Sequence, residues 1–201
     1  MVVPLRRAVG RSDTGQVIGA AFEARLAEAQ GGDEEAFACL FRDVQPALLR
    51  YLRVIAPEAA DDVAGELWLQ VVIGLVGFRG GEEAFRAWLF TIARHRAVDW
   101  GRSRARRRTV PLADSEAAAD QLAAPDAADV VLERMSTRAV LTLVSALPPD
   151  QAEIIVLRVV AGLDTHAVAR MVGKSPGAVR VAAHRGLRRL AAAVDRAGVT
   201  Q

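Results

Sequence analysis

Apolar residues recur every three or four positions along most of this chain, the period of an amphipathic α-helix, and no convincing stretch alternates like a β-strand. Three helices are predicted between residues 20 and 108. The first follows Asp33, whose carboxylate suits the N-cap of a helix. Its apolar stripe comprises Phe37, Leu40, Phe41, Val44, Leu48, Tyr51 and Leu52. The pattern predicts an all-α fold that begins with a small helical bundle.

The next two helices complete this bundle. The second keeps Asp62, Glu66 and Gln70 on its solvent side. Its inward positions are Val63, Leu67, Val71 and Leu75. The third helix follows the turn "GFRGGEE", becomes polar from Arg94 onward and ends in a run of arginines. Its inward positions are Phe85, Trp88, Leu89 and Ile92.

The C-terminal part predicts shorter helices. The inward positions of the first are Val140, Leu143, Val144 and Leu147. Those of the second are Ile154, Ile155 and Val159. The two helices are separated by Pro148 and Pro149. The stretch "LDTHAVARMVGKSPGAVRVAAHRGLRRL" then has the pattern of a helix-turn-helix. Ala169 is small where two helices cross, Gly173 permits a tight turn, and Ser175 precedes Pro176 as a cap. Val172 and Val179 are expected to fill the angle between the helices.

A segment of different composition separates the two parts. Residues 109–133 contain six acidic residues and no basic one, with alanine and proline filling most of the rest, as expected of a linker. We therefore predict a flexible leader over 1–19, a first domain over 20–108, a linker over 109–133, a second domain over 134–196 and a tail over 197–201.

Charge and composition narrow the possible functions. The net charge is only +2, but the positive charge is concentrated in arginine-rich helix ends, and Lys174 is the only lysine. Cys39 is the only cysteine, so no disulfide can form within the chain and a reducing cytoplasm is the expected compartment. No segment has the apolar length of a membrane span or a secretory signal. The three histidines, His95, His166 and His184, are dispersed and no catalytic or metal-binding constellation can be assembled, so neither an enzyme nor a cofactor is predicted.

Three stretches together carry a resemblance to a known family. "AADDVAGELWLQVV", "FRAWLFTIARHRAVDWGRSRARRR" and "LPPDQAEIIVLRVVAGLDTHAVARMVGKSPGAVRVAAHRGLRRL" resemble, in that order, the polymerase-binding, promoter-melting and upstream-element-reading segments of extracytoplasmic-function (ECF) sigma factors. The resemblance covers about residues 20–195. It implies an alternative sigma factor with regions 2 and 4, which binds core RNA polymerase, recognises the −35 and −10 promoter elements and helps to melt DNA.

The resemblance also implies partners. The first domain would dock on the clamp helices of the largest polymerase subunit, the second would contact the β-subunit flap, and an anti-sigma factor would restrain the protein. The residues implied in polymerase binding are Asp61, Asp62, Glu66, Leu67, Trp68 and Gln70. The linker resembles a nucleic-acid mimic within the polymerase, and a solvated tether is the alternative.

For downstream promoter DNA, the resemblance points to the turn from Phe78 to Glu83, which would capture a base extruded from the duplex. The arginine run suits phosphates. The residues implied are Phe78, Arg79, Gly80, Arg94, His95, Arg96, Trp100, Arg102, Arg104, Arg106, Arg107 and Arg108. Packing at the edge of the bundle is the alternative for Trp100.

The second helix of the helix-turn-helix would enter the major groove of the upstream element. The residues implied are Ser175, Gly177, Ala178, Arg180, Val181, Ala182, His184, Arg185, Arg188 and Arg189. A different class of protein remains as the rival: a helix-turn-helix transcriptional regulator with an N-terminal sensory or receiver-like helical module. Such a regulator would bind duplex DNA without polymerase, whereas a sigma factor should need the enzyme.

Overall fold

The computed structural model describes residues 21–108 and 139–198, which form eight α-helices and no β-strand. The predicted leader and acidic linker lie outside these residues. The helices are α1 (Phe22–Gln30), α2 (Glu34–Ile55), α3 (Ala60–Leu75), α4 (Glu82–Arg108), α5 (139–145), α6 (Pro149–Val159), α7 (Thr165–Val172) and α8 (Pro176–Gly198), with a 3₁₀ turn at Pro57–Ala59. The all-α prediction is confirmed.

Helices α2, α3 and α4 pack through the predicted stripes. Asp33 caps α2 by accepting a hydrogen bond from the backbone N–H of Ala36 at 2.7 Å. Aromatic rings fill the centre of this half: Tyr51 meets Phe90 edge-on at 5.4 Å, and Phe85 is almost fully buried. The inward positions predicted for these three helices are buried or packed against the core.

The N-terminal half has four helices among the described residues, so the prediction of three was incomplete. Helix α1 is only nine residues long, and it buries Phe22, Leu26 and Ala29 against the rest of the bundle. Three apolar positions are too few to establish a helical period in the sequence. A helix this short also depends on tertiary packing for its stability.

The C-terminal half contains the predicted helix-turn-helix in α7 and α8. Gly173 ends α7 in the left-handed region at φ 67°, where a side chain would be strained. The Ser175 hydroxyl accepts a hydrogen bond from the N–H of Ala178 at 3.2 Å and so caps α8. Ala169 and Val179 are buried where the two helices cross. Helix α7 itself begins at a second cap, where the carboxylate of Asp164 accepts from the N–H of Ala167 at 2.6 Å.

Two positions of the predicted C-terminal stripes are wrong. Val140 and Val159 are more than half exposed, although Val144, Ile154 and Ile155 are buried as predicted. Val140 lies at the first described turn of α5, and Val159 is the last residue of α6. Helix ends can turn a residue away from the core without breaking the periodicity of the sequence.

The two halves are in contact through α2 and α6. The carboxylate of Glu153 on α6 accepts hydrogen bonds from the Tyr51 hydroxyl at 3.1 Å and from Nε of Arg94 at 2.8 Å. Both partners belong to the N-terminal half, so one acidic side chain of the C-terminal half joins two helices of the bundle. No helix in the described part of the chain is long and apolar enough to cross a membrane.

Candidate polymerase-binding face and nucleic-acid interface

One side of α3 presents the acidic residues expected to bind a protein partner. Asp61, Asp62, Glu66 and Gln70 are exposed. Leu67 and Trp68, however, are 0% and 8% exposed. The Trp68 indole N–H donates to Oε1 of Gln45 at 2.6 Å, and its ring packs against Phe41. Both side chains therefore hold α3 on the bundle, and the structure buries them where the sequence placed them on a docking surface.

A second set of apolar residues on α3 faces outward and was missed by the sequence reading. Its members, hereafter the α3 apolar stripe, are Leu69, Val72, Ile73 and the C-cap residue Val76, with exposed fractions of 70%, 55%, 83% and 63%. Leu69, Ile73 and Val76 follow Asp62 and Glu66 at alternating steps of three and four, so all five lie along one side of the helix. The available signal was the overall apolar character of α3, which exceeds what one core-facing stripe requires.

The basic end of α4, residues 94–108, is partly exposed along its described length, and several of its arginines contact acidic or polar side chains. Nε of Arg94 reaches Glu153, as described above. Arg96 donates to Oε1 of Gln70 at 3.2 Å and lies 3.5 Å from the Glu66 carboxylate. Arg96 thus contacts two residues of the expected polymerase-binding face, which places the two candidate surfaces side by side.

Further along the same helix, Arg102 pairs with Asp99 at 3.7 Å, and Arg104 pairs with Glu58. These pairs are largely exposed, and such ion pairs contribute at most about 1 kcal/mol each. A phosphate group can therefore replace the carboxylate at small cost. His95 and Arg106 are exposed, whereas the side chains of Arg107 and Arg108 lie outside the described part of the chain.

Trp100 lies between these two surfaces. Its ring is partly buried against the core, and the guanidinium of Arg104 stands 5.3 Å from the ring centroid. The ring also borders a groove of about 550 Å³ between α3 and α4, lined by Asp62, Val63, Glu66, Arg96, Asp99, Trp100 and Ser103. The ring is thus packed at the edge of the bundle, and its contact with DNA stays a prediction.

The turn between α3 and α4, residues 76–81, is braced from several directions. The Phe78 ring stacks on Trp88 at 5.1 Å and is partly buried. The Arg79 guanidinium donates to the carbonyl oxygens of Val76 and Phe78 at 2.9 and 2.7 Å. Gly80 has φ 148°, and a Cβ there would lie 2.9 Å from Cβ of Ala84, so both backbone and space require glycine.

The helix expected to read the upstream element carries an exposed row of candidate residues. Those with exposed side chains or backbone are Ser175, Gly177, Ala178, Arg180, Val181, His184, Arg185, Arg188 and Arg189. Ala182 instead packs partly against the core, so its methyl group is less accessible than the sequence suggested. Arg189 donates to Oε1 of Gln151 on α6 at 2.9 Å, which fixes one of the two late arginines against the domain.

Three groups of the scaffold have shifted pKa values. Burial, followed by the neighbouring Glu153 carboxylate, raises the pKa of Tyr51 well above its usual value. Burial also raises the pKa of Asp43, against the opposing charge of Arg86. Hydrogen bonding from the N–H of Ala167 lowers the pKa of the capping Asp164. Residues 21–108 and 139–198 contain no cluster of side chains suited to hold a metal ion.

Comparison with known proteins identifies the class. The family described as Sigma-70 region 2 matches residues 40–107, and that described as Sigma-70, region 4 matches residues 137–190. The chain is 34% identical to the ECF RNA polymerase sigma factor SigD of Mycobacterium tuberculosis over 186 residues, which is 90% of this chain and 87% of the relative. It is 33% identical to the ECF sigma factor ShbA of Streptomyces griseus, covering 92% of this chain and 99% of that protein.

Solved structures share the fold. CnrH in complex with the cytosolic domain of CnrY matches with a TM-score of 0.57 at 23% identity, covering 88% of this chain and 98% of that chain. RpoE of Bartonella quintana, in complex with the anti-sigma factor NepR, matches with a TM-score of 0.55 at 22% identity, covering 77% and 93% of the two chains.

These findings define a sigma factor of the Sigma-70 class, built from regions 2 and 4. The chain belongs to the ECF sigma factors of RNA polymerase. It is an alternative sigma factor that directs RNA polymerase to promoters, and proteins of this family are transcription initiation factors and not enzymes.

Proposed function

We propose that residues 20–108 act as region 2, which binds polymerase and melts the downstream element, and that residues 134–196 act as region 4, which reads the upstream element. The observation that carries this division is the separation of the two candidate surfaces. The exposed face of α3 and the basic end of α4 belong to the first half, and the exposed row on α8 belongs to the second. The acidic linker, 109–133, joins them and makes the second DNA contact effectively intramolecular.

For polymerase binding, the proposal centres on the side of α3 that carries Asp62, Glu66 and the α3 apolar stripe. Three of the four stripe residues are more than 60% exposed, which is an unusual amount of apolar surface for one helix face. The acidic residues at its N-terminal end can meet basic side chains, while the stripe supplies the apolar area to be buried. A helix of the polymerase clamp fits such a face, and Asp61 and Gln70 flank it.

For downstream DNA, the proposal assigns the phosphate backbone to the basic end of α4. Its arginines already stand beside exchangeable carboxylates, so promoter phosphates would replace Glu58, Glu66 and Asp99. The α3–α4 turn is the proposed site of the extruded base. Because Phe78 is stacked on Trp88, the backbone of the turn and Arg79 are more accessible to a base than the Phe78 ring.

For the upstream element, the proposal assigns base reading to the first three turns of α8. Arg180 is exposed one turn after the Ser175 cap, and Arg185 follows it. Arg188 and Arg189 lie farther along, where helix-turn-helix proteins contact the DNA backbone. Lys174, in the turn itself, is held by Asp150 at 2.7 Å.

The proposed partners include a regulator. RpoE of Bartonella quintana is bound by an anti-sigma factor in its solved structure. We propose an anti-sigma partner for this chain too, because the α3 apolar stripe would be covered by polymerase in the active state and needs a cover when polymerase is absent. Region 4 is also proposed to contact the β-subunit flap. Acting on RNA polymerase, the protein is proposed to work in the cytoplasm.

Run-off transcription with purified core RNA polymerase on genomic promoter fragments tests the proposal. The purified chain should produce discrete transcripts, and it should bind promoter duplex tightly only when core polymerase is present. The rival reading, a helix-turn-helix regulator, predicts tight and specific binding to duplex DNA by the chain alone. That result, together with no promoter-dependent transcript, would contradict the division of labour proposed above.

A further inference from the structure

Gln30, the last residue of α1, reaches the far end of α3. Its side-chain Nε2 donates hydrogen bonds to the carbonyl oxygens of Leu75 and Phe78, each at 2.9 Å. Leu75 is the last residue of α3, and its carbonyl oxygen also accepts from the N–H of Phe78 at 3.0 Å. The Phe78 carbonyl oxygen also accepts from the Arg79 guanidinium. One amide group therefore adds a long-range hydrogen bond to each of two carbonyls where α3 ends and the α3–α4 turn begins.

This contact differs from the hydrogen bonds that Arg79 makes within the turn. The Arg79 hydrogen bonds are local, since they reach only one and three residues back along the chain. Gln30 lies 45 and 48 residues from the carbonyls it holds. It thus ties the turn to α1, which packs on α2 and contacts Phe85 of α4 through the ring of Phe22. Removal of Gln30 would leave the local shape of the turn and the packing of Phe78 on α4, but it would free the turn from α1.

We infer that Gln30 is a positioning residue for base recognition in the downstream promoter element. The inference rests on the proposed function, in which the α3–α4 turn receives an extruded base. Discrimination between bases needs recognition groups held to within about 0.5 Å, and exposed turns are the segments least able to do this unaided. The amide of Gln30, half-buried beneath the turn, supplies the missing constraint.

The test compares Gln30→Met with Gln45→Met. Methionine resembles glutamine in length and flexibility but cannot donate. Gln45 is the matched control, because it also makes a hydrogen bond within the same bundle, to Trp68, but does not contact the turn. Each variant is assembled with core polymerase, and transcription is measured over all single-base substitutions of both promoter elements.

In Gln30→Met, the ratio of transcription between the best and the worst downstream substitutions should fall by roughly two- to tenfold. This is the loss expected from one or two hydrogen bonds. Its preference for the upstream element and its affinity for core polymerase should match those of the unmodified chain. Gln45→Met should keep both preferences. Gln30→Lys, which restores donors to the two carbonyls, should recover the downstream preference that methionine loses.

An unchanged downstream profile in Gln30→Met would overturn the inference. Equal flattening in Gln30→Met and Gln45→Met would also overturn it, because that result would indicate general loosening of the bundle. Failure of Gln30→Lys to recover any downstream preference would overturn it as well. If the unmodified chain itself gives no promoter-dependent transcript, the proposed function fails and the inference falls with it. If the unmodified chain transcribes with a clear downstream preference, a failure in Gln30→Met counts against the inference alone and not against the proposed function.

Discussion

Nε of Arg94, at the start of the basic end of α4, lies 2.8 Å from the carboxylate of Glu153 on α6. Both side chains are only partly exposed, at 25% and 17% of their area, and the same carboxylate also accepts from the Tyr51 hydroxyl. An arginine assigned to downstream DNA is thus neutralised by an acidic residue from the other half of the protein. Contact of Arg94 with a phosphate requires that this pair separate.

Glu153→Gln is therefore expected to strengthen binding of the isolated chain to duplex DNA. Glutamine keeps an oxygen that can accept from Tyr51 and Arg94, but it removes the negative charge that competes with phosphate. One additional phosphate contact should steepen the slope of log affinity against log salt by up to about 0.9. Fluorescence anisotropy at several salt concentrations measures both quantities.

The matched control is Glu28→Gln, which makes the same change in net charge at an exposed pair with Arg25, a residue with no assigned role in DNA binding. Equal gains in the two variants would indicate a general charge effect. No gain in Glu153→Gln would mean that the pair does not limit access to Arg94.

The α3 apolar stripe should carry much of the affinity for core polymerase. Leu69→Ser combined with Ile73→Ser removes two side chains that are 70% and 83% exposed, so folding should be unaffected. Full burial of each such side chain contributes about 1.5 to 3 kcal/mol, and the double variant should bind core polymerase at least about tenfold more weakly. Co-purification and a competition assay against the unmodified chain provide the measurement.

Val181→Ser combined with Val194→Ser is the control for this experiment, since both valines are about half exposed on α8, away from α3. Its affinity for core polymerase should be retained. If the Leu69→Ser, Ile73→Ser variant binds core polymerase with normal affinity, the α3 apolar stripe is not the polymerase-binding surface.

Arg180 and Arg188 should have different roles on the upstream element. If Arg180 makes a bidentate contact with a guanine, Arg180→Ala should cost about 1 to 3 kcal/mol and relax the preference at one base pair. Arg188→Ala should weaken all sequence variants by a similar factor, because phosphate contacts position without specifying. Transcription across all single substitutions of the upstream element distinguishes them. A uniform loss with Arg180→Ala would make Arg180 a phosphate contact.

The contact between the halves should also be sensitive to alkaline pH. Burial and Glu153 raise the pKa of Tyr51 well above its ordinary value of 10.0, so the folded state favours the neutral phenol. A raised pKa contributes stability that is fully present below the unfolded value, about 10, and is lost as the pH rises through the folded value. The free energy of unfolding should therefore fall above about pH 10.

Tyr51 is the only tyrosine, so its ionisation can be followed directly by ultraviolet absorbance. Urea unfolding at several alkaline pH values provides the stability. Tyr51→Phe should show a smaller decrease over the same range, whereas an identical decrease would assign the loss of stability to other groups.

Local features of the fold were predictable because they depend on neighbours in the sequence. The Asp33 and Ser175 caps, the left-handed Gly173 and the stripes of α2 to α4 all arise from interactions within a few residues. The resemblance to ECF sigma factors used the same kind of information, since its motifs lie within single helices or one helix-turn-helix. Helix α1, which the sequence did not predict, shows the limit of such local information, because nine residues contain too few helical periods to be recognised.

The sequence alone thus determined most of the helices, the Asp33 and Ser175 caps and the family, whereas the tertiary structure decided which side chains are available. Leu67 and Leu69 are only two residues apart, yet packing of α3 on α2 and α4 buries the first and exposes the second. Arg94 and Glu153 are separated by 59 residues, and Gln30 by 45 from the nearer carbonyl it holds. Periodicity specifies a helix and its apolar positions, but the choice among several apolar faces and the pairing of distant polar groups follow from how whole helices pack.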